Sequence, residues 1–145
     1  MKFGYLCAAL IAITPAFAVA QSLNFGDDES QWSNDGECDD RRFRGPAMAQ
    51  GLDRDDIGHD MTDCKTAFDA GNLTVWDFAA AKAATQCNAI NFGDDQSEWP
   101  NDGQCDDYRF DGPGADFVLL LEDVGHDATD CKKLCELGQI AIRDY

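Results

Sequence analysis

Positive charge is the scarcest ingredient of this chain: 11 Lys and Arg stand against 28 Asp and Glu, for a formal net charge of −17. Nucleic acid and anionic membrane surfaces repel such a chain instead of drawing it in through released counterions, so neither is an expected partner. Apolar runs are scarce too, and beyond residue 20 no segment is long and apolar enough to span a bilayer. Histidine occurs only at His59 and His126, and there is no CxxC pair, no paired Cys/His finger spacing and no nucleophile-elbow motif. Zinc-thiolate sites and serine-hydrolase chemistry therefore lack their usual sequence patterns. Disorder is a poor description as well, because three Trp, nine Phe and regularly placed Cys provide apolar material to bury.

The chain opens with MKFGYLCAALIAITPAFAVA, in which one positive charge and an apolar run precede Ala18-Val19-Ala20. The small-x-small ending predicts a signal peptide over 1–20 with Gln21 as the mature N-terminus, and hence a periplasmic or secreted protein that is not inserted in the membrane after cleavage. A membrane anchor is the rival reading, disfavoured by the shortness of the run and by Pro15. Apart from Cys7, six cysteines remain: Cys38, Cys64, Cys87, Cys105, Cys131 and Cys135. An even number entering an oxidising compartment predicts three disulfides.

The strongest signal is internal repetition. Adding 67 to a residue number carries LNFGDDESQWSNDGECDDRRFRGP, from Leu23, onto INFGDDQSEWPNDGQCDDYRFDGP, from Ile90, and DIGHDMTDCK, from Asp56, onto DVGHDATDCK. Roughly half of the aligned positions are identical, without a gap. The expected organisation is signal peptide 1–20, acidic repeat 21–76, a helical joiner over 77–89 and a second acidic repeat over 90–145. The joiner is rich in Ala and free of Gly and Pro, which favours a short helix. Within each repeat, Thr62 or Thr129 is the expected N-cap of a helix that stops at Gly71 or Gly138, followed by a short strand in NLTVW or QIAIRD. The fold class is thus α+β: a small, loop-rich, disulfide-stapled tandem repeat with short helices and few short strands.

Units of this size bury little surface and rely on staples, metals or a partner copy. Cys38 and Cys64 recur as Cys105 and Cys131, so the simplest map closes each repeat on itself and leaves Cys87 to pair with Cys135. Because Cys131 and Cys135 lie four apart on one expected helix, an exchanged pairing is the alternative.

The identities cluster in NDGxCDD and GHDxTDC, beside those cysteines. A Cys38–Cys64 bond brings Asp35, Asp39, Asp40, Asp60 and Asp63 together, and a Cys105–Cys131 bond does the same for Asp102, Asp106, Asp107, Asp127 and Asp130. Carboxylates held so close repel one another, and a hard divalent cation, calcium above all, compensates them. The rival is a network of turn-capping side chains with no ion, or with another metal. NDGECDD with DMTDC, and NDGQCDD with DATDC, resemble the NGxCD…DGxDC core of Lin12/Notch repeats and more distantly the DxxDC ending of LDL-receptor class A modules. The sequence is also similar to an FGDDxSxW/NDGxCDD/DATDC repeat of exported bacterial proteins, a likeness that carries no activity. The Notch-like resemblance implies an extracellular module pinned around one calcium, with ligands at Asp39, Asp60 and Asp63 and at Asp106, Asp127 and Asp130. Notch-type modules carry three internal disulfides, whereas each repeat here has at most one.

His59 and His126 are expected to pack or cap a loop, Arg42 and Arg109 to offset nearby carboxylates, and Trp32 and Trp99 to anchor the core with Phe25, Phe43, Phe92 and Phe110. Any chain this acidic contains glycosidase-like acid pairs, and no motif supports a triad from Ser30 or Ser97, so an enzyme is not expected. The function these features predict is an exported calcium-binding tandem repeat with a structural or interaction role, whose partner is a protein or envelope component. The alternative is an acidic interaction or inhibitor module without metal, and the third reading is a small secreted hydrolase.

Overall fold

The computed structural model describes residues 23–145, so the expected signal peptide and Cys7 lie outside the described residues. The chain folds as a small α+β domain of short elements. Loops dominate the first part of each half, where Asn34 and Asn101 adopt left-handed backbone (φ 68° and 65°) at the Asn-Asp-Gly turns. Strand β1 (Phe43–Arg44) follows, then β2 (Gly51–Asp53), helix α1 (Met61–Asp69) and β3 (Thr74–Val75). The second half runs β4 (Cys105–Asp107), β5 (Phe110–Asp111), β6 (Ala115–Leu120), helix α3 (Ala128–Glu136) and β7 (Ala141–Ile142). Between them lies α2 (Phe78–Ala84), the helix expected of the Ala-rich joiner, whose N-cap Asp77 accepts the Ala80 N–H at 2.9 Å.

The pairings repeat with the sequence. Phe43 sits opposite Val75 in the antiparallel β1–β3 pair, and Phe110 sits opposite Ile142 in β5–β7, both residues shifted by 67. A three-stranded sheet, ordered β2-β6-β4, then joins the halves. In it Leu52 pairs with Leu119, its own counterpart, flanked by Gly51 with Leu120 and Asp53 with Val118. An antiparallel ladder centred on two equivalent residues has the geometry of a local two-fold axis.

The apolar core follows this sheet. Leu52, from the first half, is fully buried with Phe92, Phe110, Leu119, Leu134 and Ile140 of the second, while a smaller cluster gathers Phe43 and Leu73 around Cys38 and Cys64. Each half is closed by its own disulfide, as the simplest map predicts, and the two halves also share a sheet and a core. The bonds are Cys38–Cys64, Cys105–Cys131 and Cys87–Cys135. Of the apolar run from Phe117 to Leu121 only Leu119 is buried, while Phe117 and Leu121, two residues to either side of it, are exposed.

Two local expectations are corrected. The helices start at Met61 and Ala128, with Asp60 and Asp127 in the N-cap position, and Thr62 and Thr129 lie inside the first turn. The capping carboxylate comes from the preceding loop: Asp28 accepts both the N–H and the Oγ–H of Thr62, at 2.7 and 2.6 Å, and Asp95 does the same for Thr129. Trp32 and Trp99 are not core anchors but are 52% and 60% exposed. Their place in the core is taken by the stacked pairs Phe25–Phe43 and Phe92–Phe110, with ring centroids 5.4 and 5.5 Å apart.

Candidate cation-binding sites

Each helix start is held against its loop by a backbone approach that admits no side chain. Gly26, at φ 90°, packs so closely on Gly58 that a Cβ would lie 1.8 Å from its carbonyl oxygen, and Gly93 stands in the same relation to Gly125. This contact sets GHDxTDC beside NDGxCDD, and the Cys38–Cys64 and Cys105–Cys131 bonds lock them there.

The charge repeated between the halves splits into two kinds of carboxylate. Asp40 is buried and fully matched: Arg42 binds it at 2.5 and 2.8 Å, and the Gly58 N–H donates to it at 2.8 Å. Asp107 repeats the arrangement with Arg109 and Gly125. The arginines thus offset these carboxylates as the sequence predicts. Asp39 and Asp60, with Asp106 and Asp127, have no basic partner. Asp60 Oδ2 accepts the Asp39 N–H at 2.8 Å, but Asp60 Oδ1 and Asp39 Oδ2 are buried with no hydrogen-bond partner, and so are Asp127 Oδ1 and Asp106 Oδ2. A buried, unmatched carboxylate oxygen is costly, and its recurrence in both halves marks these positions as demanding a positive charge.

Electrostatics give the same picture. Burial, followed by repulsion from Asp60 and Asp35, pushes Asp39 up to about 7. Burial, then repulsion from Asp116, Asp127 and Asp102, pushes Asp106 up to about 8. Burial also lifts Asp60 and Asp127 to about 6, partly opposed by the N–H bonds they accept from Asp39 and Asp106. The other predicted ligands are neighbours tied to backbone: Asp63 and Asp130 accept from Gly36 and Gly103 at 3.1 and 2.9 Å, and Asp35 and Asp102 from Glu37 and Gln104 at 3.0 and 2.9 Å.

Each half therefore gathers four carboxylates in one neighbourhood, but not yet in one shell. Among the described residues, three trios bring one donor atom each within 4.8 Å of one another: Cys38–Asp60–Cys64, Cys105–Asp127–Cys131 and Asp27–Glu29–His59. In the first two the sulfurs are spent in disulfides and supply no thiolate. The third is exposed and does not recur, since Gln96 stands where Glu29 does. The orphaned oxygens could take a metal ion, but among the described residues no three of these carboxylates in either half come within that distance of one another.

His59 Nδ1 is 2.6 Å from Asp27 Oδ1, and this bond raises the histidine above its usual pKa; His126 pairs with Asp94 at 2.7 Å. The Ser30 hydroxyl donates to Asp56 at 2.6 Å and Ser97 Oγ is buried without a partner, so neither hydroxyl is bonded to a histidine ring, although the Ser30 and Ser97 backbone N–H groups donate to the His59 and His126 carbonyls.

What sequence reasoning missed is the setting of Trp32. Its ring stands at a cavity of about 540 Å³ lined by Asp35, Asp39, Asp53 and Asp56 from the first half and by Val118 and Leu120 from the second. Among the described residues no helix is long and apolar enough to cross a membrane. Comparison with known proteins finds no matching family model, curated protein or solved structure.

Proposed function

We propose that this protein is an exported, disulfide-stapled acidic interaction module with a structural or binding role, whose ligands are positively charged groups on a partner protein or envelope component. The observation that carries this reading is the pair of half-exposed tryptophans, Trp32 and Trp99, at equivalent positions on an acidic surface. Large aromatics left in solvent beside unneutralised charge are interface chemistry, because Trp is the residue type most enriched at binding hot spots. Three disulfides and a buried cluster in which Asp111 joins Arg41 and Arg143 across the halves hold the fold together. The test is binding of a lysine-rich peptide with chelator present. The module binds it saturably at physiological salt, weakening as salt rises; no binding under these conditions overturns the reading.

A second reading is carried by the unmatched oxygens of Asp60 and Asp127, which are fully buried in both halves without a hydrogen-bond partner. On it, and in keeping with the Lin12/Notch-like motif, each half takes one calcium through Asp39, Asp60 and Asp63 or Asp106, Asp127 and Asp130, assisted by Asp35 or Asp102. At a Kd of ~0.1 mM, ~1 mM calcium stabilises the fold by about 1.4 kcal/mol per site. A melting temperature that rises with calcium, falls with chelator and responds poorly to magnesium supports this reading. A melting curve indifferent to both removes it and leaves the metal-free module standing.

A further inference from the structure

The cavity at Trp32 has features that an acidic surface alone does not supply. The half-exposed Trp32 lines it, and so does Asp39, 5% exposed, whose Oδ2 has no hydrogen-bond partner. Glu37, Asp53 and Asp56 add carboxylates at the rim, and no Lys, Arg or His lines the space. The opposite side is aliphatic: β6 contributes Val118 and Leu120 where it pairs with β2. An aromatic face, an unmatched buried carboxylate and an apolar strip are together complementary to a cation at the end of a hydrocarbon stem. The volume, about 540 Å³, falls within the range of ordinary ligand pockets.

We infer that the pocket bounded by Trp32, Asp39 and the Val118–Leu120 edge receives a lysine or arginine side chain presented by a basic partner polypeptide. The stem lies along Val118 and Leu120, and the head reaches the Trp32 face and the Asp39 carboxylate. Under the 67-residue relation the residues answering to Val118 and Leu120 are Gly51 and Asp53, so the counterpart aliphatic strip is missing in the other half. The strip therefore stands beside Trp32, and Trp99 serves as its internal control. This inference rests on the interaction-module reading and names the chemistry of its partner.

The experiment uses the disulfide-bonded protein and two decapeptides that differ at one position, lysine or its neutral isostere norleucine, followed by tryptophan emission with chelator present. The lysine peptide should bind at least ~10-fold more tightly than the norleucine peptide. Trp32→Ala and Asp39→Asn should each weaken it by about tenfold or more, while Trp99→Ala, followed by calorimetry, changes it less than about twofold. Equal binding of the two peptides by the wild-type protein, or loss in Trp99→Ala with none in Trp32→Ala, overturns the pocket. If Trp32→Ala still binds the lysine peptide as the wild type does, the module reading survives and the pocket falls; if the wild type binds neither peptide, the module reading itself falls. Choline binding in place of the peptide would reassign the pocket to small quaternary ammonium ligands and overturn the polypeptide partner.

Discussion

Asp39 and Asp106 show how a single side chain can carry opposite consequences for stability and for binding. Both are held above the unfolded carboxylate range, at about 7 and about 8, with burial as the main cause. A carboxyl whose folded pKa is raised binds more protons folded than unfolded, so its contribution declines as pH rises from near 4 through its folded pKa. The metal-free protein should therefore lose thermal stability between about pH 5 and pH 8. Asp106→Asn should flatten that slope, as read from melting temperatures across the interval with chelator present. A wild-type melting temperature that climbs steadily from pH 5 to 8 would refute the arrangement. The sequence pointed to these residues because each stands beside a repeated cysteine. It did not separate Asp39 from Asp40, which are adjacent and equally repeated, because the distinction lies in which of them Arg42 reaches. Trp32 was misplaced for a related reason: hydrophobicity predicts burial, but the Phe25–Phe43 stack already fills the space.

At the level of elements, the two copies of one segment play unequal parts in the sheet. Strand β6 lies at its centre, between β2 and β4, whereas β2 is an edge with one neighbour. Edge amides are covered on one side only, so hydrogen exchange should be faster over 51–53 than over 115–120. Equal protection of the two segments would contradict this sheet order. Helix existence was legible from composition, as α2 in the Ala-rich joiner shows, and so was the helix stop at Gly71, which is left-handed at φ 78°. The helix start was not. The cap on Thr62 arrives from Asp28, 34 residues earlier, and local capping rules do not see a remote acceptor of that kind.

For the whole molecule, one buried seam between the halves is built from positions at which the repeats differ. Arg41 answers to Tyr108, Arg44 to Asp111 and Trp76 to Arg143. The Asp111 carboxylate binds Arg41 at 2.6 and 3.0 Å and Arg143 at 2.8 Å, and Arg143 also donates to the Phe43 carbonyl at 2.5 Å. Identical copies could not build this seam, since a two-fold arrangement of like charges would repel. Asp111→Ala strands two buried guanidiniums and should cost roughly 3–5 kcal/mol of stability, measured by denaturant unfolding. A loss under about 1 kcal/mol would mean that the halves hold together without the seam. The repetition itself was plain in the sequence, but the shared sheet was not, because nothing in the spacing says that Leu52 will lie against Leu119 rather than within its own half.

The central claim, that the acidic face beside Trp32 is a docking surface for positive charge, is tested most directly by a hydrogen-exchange footprint. The disulfide-bonded protein is labelled alone and with a saturating lysine-rich peptide, in chelator and at physiological salt. Protection concentrated over residues 31–39, 49–53 and 118–120, the segments that line the Trp32 cavity, is the result the account predicts. Protection spread evenly over every acidic loop, or absent from these three segments, would contradict it.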